Sequence, residues 1–283
     1  MEVKIEIIDT GYFYADGGAM FGAIPKTAWS RKYPSDEMNG CVLAMRSLLV
    51  QTADRCLLID TGAGYKHLKS LISYYRFFGL KDLKEELRLR HISPDEITDV
   101  ILTHLHFDHC GYCTLEEENK LQLAFPNATY WVSEKQWHAF RRPHPLEKGS
   151  FFSEDMDLVE QSGKLCLVTD PQVLCPNISL LLADGHTSGQ IVPLIQGGEE
   201  SILFAGDVIP LLASVSLEWI SAYDVYPIAS YDEKVHLLEL AVQGNYRMIF
   251  CHDAYAVSSK VKKTSGGLYL PDRDSIRNSL KDE

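Results

Sequence analysis

The stretch VILTHLHFDHCG, residues 100–111, sets three histidines and an aspartate within six positions, directly after an apolar run. Neutral imidazole and carboxylate are the ligands of zinc and similar divalent ions. On an extended segment side chains alternate with a period of two, so His104 and His106 point the same way and can grip one ion together. A turn at Phe107 lets Asp108 and His109 reach a second position, and Gly111 allows the chain a sharp exit. A helical pair would need i, i+4 spacing, which these residues lack. The stretch is therefore expected on a loop after a strand.

Six adjacent positions cannot complete two coordination shells. Three later stretches offer further ligands in the same local setting. LLLADGHTSG (180–189) places His186 just past a strand, ILFAGD (202–207) ends on Asp207, and MIFCHD (248–253) carries His252. In each, an apolar run stops at a ligand-type residue, which fits the gathering of function on loops at strand ends.

The remaining chain reads as interleaved strands and helices. CVLAMRSLLVQ (41–51) and RCLLID (55–60) form a hairpin that leads into a tight TGAG loop. Residues 65–90 are expected to be mixed and mostly helical. SPDEITDV (93–100) carries a capping box with Ser93 at the N-cap, Pro94 at N1 and Glu96 at N3. TYWVS (129–133), KLCLVT (164–169), ISLLLAD (178–184) and SILFAGD (201–207) read as strands, and EKQWHAF (134–140) as a helix. SYDEKVHLLELAVQGN (230–245) reads as an amphipathic helix with acids at its start and Gly244-Asn245 as its stop. YRMIFCHD (246–253) is expected to be a final buried strand. Apolar strands covered on both faces predict an α/β layered fold with helices outside the sheets.

Bulk properties narrow the function classes. The 283 residues suit one large domain or two small ones, and a single domain, 1–283, is expected, with 46% hydrophobic and 23% charged residues. A formal charge of −12 repels phosphate backbones, so nucleic acid is not expected as a partner. RLRH (88–91) and RRPH (141–144) are the only short basic runs and read as solvated surface. No window approaches the roughly 18 apolar residues of a membrane span. The first residues, MEVKIEIIDT, lack the basic and apolar regions of an export signal, and a soluble cytoplasmic protein is expected. Seven cysteines without framework spacing point to reduced thiols, and Cys110 and Cys113 read as small buried side chains. Homodimerisation is left open, since no stretch marks an interface.

The motifs THLHFDHCG, DGHTSG, FAGD and CHD, with DTGAG (60–64) ahead of them, occur in the order seen in the metallo-β-lactamase superfamily of binuclear metallohydrolases, which this chain resembles over most of its length. The resemblance implies an αββα four-layer sandwich. It implies that His104, His106 and His186 hold one metal, that Asp108, His109 and His252 hold a second, and that Asp207 bridges them. His67, His91, His138, His144 and His236 are left as surface residues. Two divalent ions, most simply Zn2+, with iron, manganese or cobalt as substitutes, would generate a bridging hydroxide that attacks a small-molecule substrate. Asp108 and Asp207 would then be catalytic as well as ligating, with Asp108 accepting and orienting the proton. Asp60 is expected either to support a ligand through a hydrogen bond or to shape its loop, and Gln190, standing where many relatives carry a histidine, to offer a supporting hydrogen bond.

The lactonase and organophosphate hydrolase branches are the most similar in length and in the second-half motifs. They imply opening of a small lactone or cleavage of a carboxylic ester, with phosphodiester or phosphotriester hydrolysis, or metal-dependent binding without turnover, as the alternatives. Where lactonases often place a tyrosine three residues past the bridging aspartate, this chain has Pro210. Tyr223 or Tyr226 in SAYDVYP offers a phenol instead, or is a half-buried structural tyrosine. DGGAMFGAIPKTAW (16–29) reads either as a lid that sets Met20, Phe21 and Trp29 against the substrate or as a hairpin that fills the core.

Overall fold

The computed structural model describes residues 3–71, 74–118, 120–198 and 200–279. Contacts divide it into two compact units, Met1–Tyr12 with Met45–Gln172, and Phe13–Ala44 with Val173–Glu283.

The first unit is built on the strands Cys56–Ile59, Asp99–Ile101, Thr129–Ser133 and Leu165–Val168, which follow one another in parallel across the sheet. Gly40–Gln51, from Met45 onward, pairs antiparallel with Cys56–Ile59, with Leu48 opposite Ile59, so the predicted hairpin is present. The central strands are apolar runs because both faces are covered. Asp99–Ile101 is buried throughout, and the helices Leu83–Arg88, Glu134–Arg141 and Ser153–Gln161 bring Leu83, Leu87, Trp137, Phe140, Met156 and Val159 onto the same core as Val100, Tyr130 and Val132. Ser133 caps Glu134–Arg141 by accepting from the Gln136 amide at 3.0 Å. The capping box at Ser93 is present, but it starts only the short 3-10 turn Pro94–Glu96.

The second unit carries a seven-stranded sheet in the order Arg277–Asn278, Ala256–Ser259, Arg247–Ile249, Ile202–Phe204, Gln190–Ile195, Ile178–Ala183 and Gln172–Cys175. One neighbouring pair, Ile202–Phe204 with Arg247–Ile249, is parallel. The long helix Pro227–Gln243 buries Leu237, Leu238 and Ala241 against Val192, Leu203, Met248 and Phe250. Its Lys234 is also buried. The ammonium donates to the Ser216 and Trp219 carbonyls at 2.9 Å each, and desolvation lowers its pKa to about 8.

Four expectations differ from the structure. Residues 65–90 hold only the short helices Leu68–Leu71 and Leu83–Arg88, and between them Phe78 bridges to Tyr12 instead; residues 72 and 73 lie outside the described set. Four strands follow the one predicted to be last, at Ala256–Ser259, Val261–Lys263, Tyr269–Pro271 and Arg277–Asn278. The long helix starts at Pro227, ahead of the acids taken as its beginning, because Pro is preorganised for a first turn. The 16–29 segment is neither an open lid nor a hairpin but two short helices, Gly17–Phe21 and Lys26–Trp29. The Asp16 side chain accepts from the Ala19 amide and so starts a helix where glycines suggested a turn. Among the described residues no helix is long and apolar enough to cross a membrane.

Candidate metal centre

In the first unit the chain leaves Asp99–Ile101 extended, then makes one helical turn at Phe107–Cys110. His104 and His106 point the same way, with His104 Nε2 and His106 Nδ1 3.1 Å apart. The predicted turn at Phe107 is this helical turn, and it sets His109 Nε2 3.8 Å from Asp108 Oδ2. Gly111 lies in the ordinary helical region at φ −61, so its requirement is steric rather than conformational. A Cβ there would stand 2.1 Å from the Ala63 carbonyl oxygen.

Asp60, at the end of the neighbouring strand, ties the segment together. Its carboxylate accepts from the Thr103 amide at 2.7 Å, the Thr103 hydroxyl at 2.8 Å and His109 Nδ1 at 2.8 Å. Asp60 holds the left-handed conformation, φ +56, which few residues tolerate and Asp tolerates better than most. Phe107 packs on Tyr75 at 5.3 Å; burial, and after it the Asp108 charge, raises the Tyr75 phenol above its usual range.

In the second unit three separate strand ends supply the candidates. Asp207 lies in the 3-10 turn after Ile202–Phe204. One of its oxygens is 3.3 Å from His186 Nε2 and the other 3.1 Å from His252 Nε2. Each ring is fixed from behind: His186 Nδ1 donates to Asp224 at 2.9 Å, and His252 Nδ1 to the Ala44 carbonyl at 2.7 Å. Phe13 meets the His252 ring edge-on at 5.7 Å. The His186 loop is held by helix Pro227–Gln243, where Glu233 accepts from the Asp184 and Gly185 amides. Burial raises the Glu233 carboxyl above its usual range, although these two amides pull the other way. Gly185 passes so close that a Cβ would meet the Ser230 nitrogen at 2.3 Å. Cys251 donates its thiol to Asp207 Oδ1 at 3.2 Å.

These donors fit a cation. A carbonyl oxygen only accepts, so His252 Nδ1 carries the proton and Nε2 presents a lone pair. That lone pair faces a carboxylate oxygen at 3.1 Å. Two electron-rich atoms at this distance repel unless a proton or metal ion lies between them. Ligand atoms 2.0–2.1 Å from one tetrahedral ion stand about 3.4 Å apart, close to the separations around Asp207. Imidazole with carboxylate is the donor set of zinc and its neighbours.

The other predicted residues fall as follows. Gln190 is buried, and its amide donates to the Ala205 carbonyl at 2.8 Å, ahead of Asp207. Phe21 and Trp29 are each 1% exposed and stacked at 5.0 Å, with Met20 buried beside them. They serve as packing, and the Ala19 carbonyl above them accepts from the Ala222 amide and the Ser221 hydroxyl. That pins the loop carrying Asp224. Tyr223 and Tyr226 flank Asp224 and are 39% and 48% exposed. His91, His138, His144 and His236 are exposed, as expected. His67 is a correction: it is buried, 2.8 Å from the buried Asp155 carboxylate and stacked on Phe152 at 4.0 Å. Its polar neighbours in sequence hid a partner 88 positions away. All seven cysteines are unoxidised thiols, Cys251 with its hydrogen bond to Asp207 among them.

Sequence reading missed Asp224 and the Ala44 carbonyl. Asp224 sits in SAYDVYP without the apolar run that marks the other site residues, and a backbone carbonyl leaves no trace in side-chain identity.

A fold of mixed sheets and helices with histidines and aspartates at its strand ends is one that can hold metal ions, and its family makes the chain a metal-dependent hydrolase. The chain belongs to the metallo-β-lactamase superfamily, whose family model matches residues 46–252. It is 23% identical over 278 residues to the N-acyl homoserine lactonase AiiB of Agrobacterium fabrum (strain C58 / ATCC 33970), covering 93% of this chain and 98% of that protein. Among solved structures it is similar to a probable metal-dependent hydrolase from Staphylococcus aureus, with a TM-score of 0.86, 29% identity and coverage of 96% of this chain and 98% of that one. It shares its fold with AidC, a dizinc quorum-quenching lactonase in complex with a product, at a TM-score of 0.77, 21% identity and coverage of 98% and 96%.

Proposed function

We propose that the chain is a binuclear hydrolase that opens a small lactone or cleaves a carboxylic ester, both units working as one domain. His104, His106 and His186 would hold one ion, Asp108, His109 and His252 the other, and Asp207 both. Zinc is the ion the donor set favours. The observation that carries this reading is the two-sided use of Asp207, with one oxygen toward His186 and the other toward His252. A carboxylate chelating one ion turns both oxygens to the same ligands, whereas this one sets each oxygen against a different histidine. Similarity to N-acyl homoserine lactonase AiiB supports a lactone over other electrophiles.

When bound, the ion pair supplies a water acidified toward a pKa of about 7 and an electrophilic anchor for the carbonyl oxygen. The protein contributes orientation and proton handling. Asp60, Asp224 and the Ala44 carbonyl hold the Nδ1 atoms of His109, His186 and His252, so that each ring offers Nε2. Asp108 takes up a proton at a carboxylate oxygen as water adds to the carbonyl carbon, and returns it to the departing ring oxygen. Tyr223, exposed beside Asp224, would give the substrate's apolar part a rim, and its loop is held through the Ser221 and Ala222 hydrogen bonds to the Ala19 carbonyl, next to the buried Met20 and Phe21.

Elemental analysis joined to a substrate panel tests the reading. Wild type is expected to carry about two ions per chain and to open lactones faster than it cleaves a p-nitrophenyl phosphodiester. Asp207→Asn is expected to lose one ion and nearly all turnover. A phosphodiester preference, or an Asp207→Asn variant with wild-type metal content, overturns it.

A further inference from the structure

The five candidate ligand histidines do not all face the same way round. In His109, His186 and His252 the Nδ1 atom is tied to protein oxygen, and Nε2 is the atom turned toward a candidate ligand carboxylate. His104 follows the same pattern, with Nδ1 3.1 Å from the Thr103 hydroxyl. His106 is reversed. Its Nδ1 faces His104 Nε2 at 3.1 Å, and its Nε2 lies 3.5 Å from Glu147 Oε2. Glu147 is only 6% exposed, in the segment that leads to the turn Lys148–Ser150. Phe151, just beyond, tilts over the His106 ring at 5.0 Å.

We infer that Glu147 is the positioning residue that decides which nitrogen His106 offers. The inference rests on the ligand role proposed above for His106. An ionised carboxylate only accepts, so it favours the tautomer with the proton on Nε2 and leaves the lone pair on Nδ1. At 3.5 Å the attraction is that of a charge for an N–H dipole rather than of a closed hydrogen bond. Both side chains are nearly buried, so little solvent screens that attraction. The bias matches the geometry present. Residues two apart on an extended chain start about 6.5 Å apart, and here the nitrogens that meet are His104 Nε2 and His106 Nδ1, 3.1 Å apart.

The test reads the tautomer directly. Imidazole 15N NMR of Zn2+-loaded protein, where an ion rather than a proton can lie between His104 Nε2 and His106 Nδ1, is compared for wild type, Glu147→Gln and Glu147→Ala, with the His106 signals assigned through His106→Gln. Zn2+ affinity is measured on the same samples by chelator competition. Wild type is expected to carry its His106 proton on Nε2. Glu147→Gln, whose amide oxygen still accepts, is expected to keep that tautomer. Glu147→Ala is expected to give mixed tautomers and a loss of Zn2+ affinity of about 10–100-fold. A wild-type His106 protonated on Nδ1 overturns the inference, as does a Glu147→Ala variant with unchanged tautomer and affinity. Should Glu147→Ala fail to fold, the wild-type and Glu147→Gln spectra decide. A wild type that takes up no Zn2+ would sink the proposed function and the inference with it, whereas a loaded wild type with His106 protonated on Nδ1 would sink the inference alone.

Discussion

In the first unit four candidate ligands sit between His104 and His109, and one carboxylate, Asp60, ties their segment to the neighbouring strand. In the second unit His186, Asp207 and His252 come from three strand ends, and each histidine has its own support. The contiguous cluster is economical, because one short loop carries everything, but one residue then holds most of the geometry. The dispersed set needs a whole sheet to bring it together, yet a lesion at one support leaves the others in place. The two constructions should therefore break differently.

The largest effect is expected at Asp60. Asp60→Ala orphans the Thr103 amide, the Thr103 hydroxyl and His109 Nδ1, all buried. Each lost acceptor costs about 1–3 kcal/mol, so a fall of several kcal/mol in urea unfolding of metal-free protein is expected, along with loss of metal uptake. Asp60→Asn keeps one oxygen and tolerates the left-handed backbone, and is expected to recover part of the loss. An Asp60→Ala protein of wild-type stability would show that the cluster does not hang on one carboxylate.

A smaller, more local effect is expected at Asp224. Asp224→Ala removes the acceptor of one ring nitrogen, His186 Nδ1. Stability should fall by about 1–3 kcal/mol and metal affinity by about 10–100-fold, with the His252 ring signals unmoved by NMR. If His252 shifts as well, the second unit's supports are not independent and the contrast with Asp60 disappears.

The same contrast governs what the sequence made legible. Asp99–Ile101 was readable because burial on both faces demands an apolar run, and the ligands were readable because rare side chains sit where such runs stop. The strands after His252 were not: Ala256–Ser259 and Val261–Lys263 are short, with serines and lysines at positions where a central strand would be apolar. The helix Gly17–Phe21 was hidden because its two opening glycines are turn residues by local preference, and its start depends on the Asp16 cap and on packing of Phe21 against Trp29. The supports were the least visible part. Asp60 could be suspected from its DTG loop, whereas Asp224 looks like any surface acid until position 186 is brought beside it.

The smallest effect is expected at the rim of the second unit, and it tests how far the dispersed frame extends. Glu200 accepts from Arg247 at 2.7 Å and from Arg277 at 2.7 Å, with Lys260 at 3.5 Å. Arg247 opens the strand that runs toward His252, and it also donates to the Ser275 carbonyl at 2.6 Å. The hydrogen bond from Arg247, with the other cations behind it, lowers the Glu200 carboxyl to about 2. A depressed folded-state pKa means that the unfolded chain binds the proton more readily. The contribution is therefore complete above the ordinary value of 4.5 and is lost as pH falls from there toward 2. Solvent reaches this carboxylate, so screening limits the contribution to about 0.2–1 kcal/mol. Glu200→Gln is expected to flatten that part of the acid-unfolding curve relative to wild type, and added salt to shrink the difference between them. A variant whose acid limb overlays the wild type would show that the strand leading to His252 is held by its sheet neighbours alone.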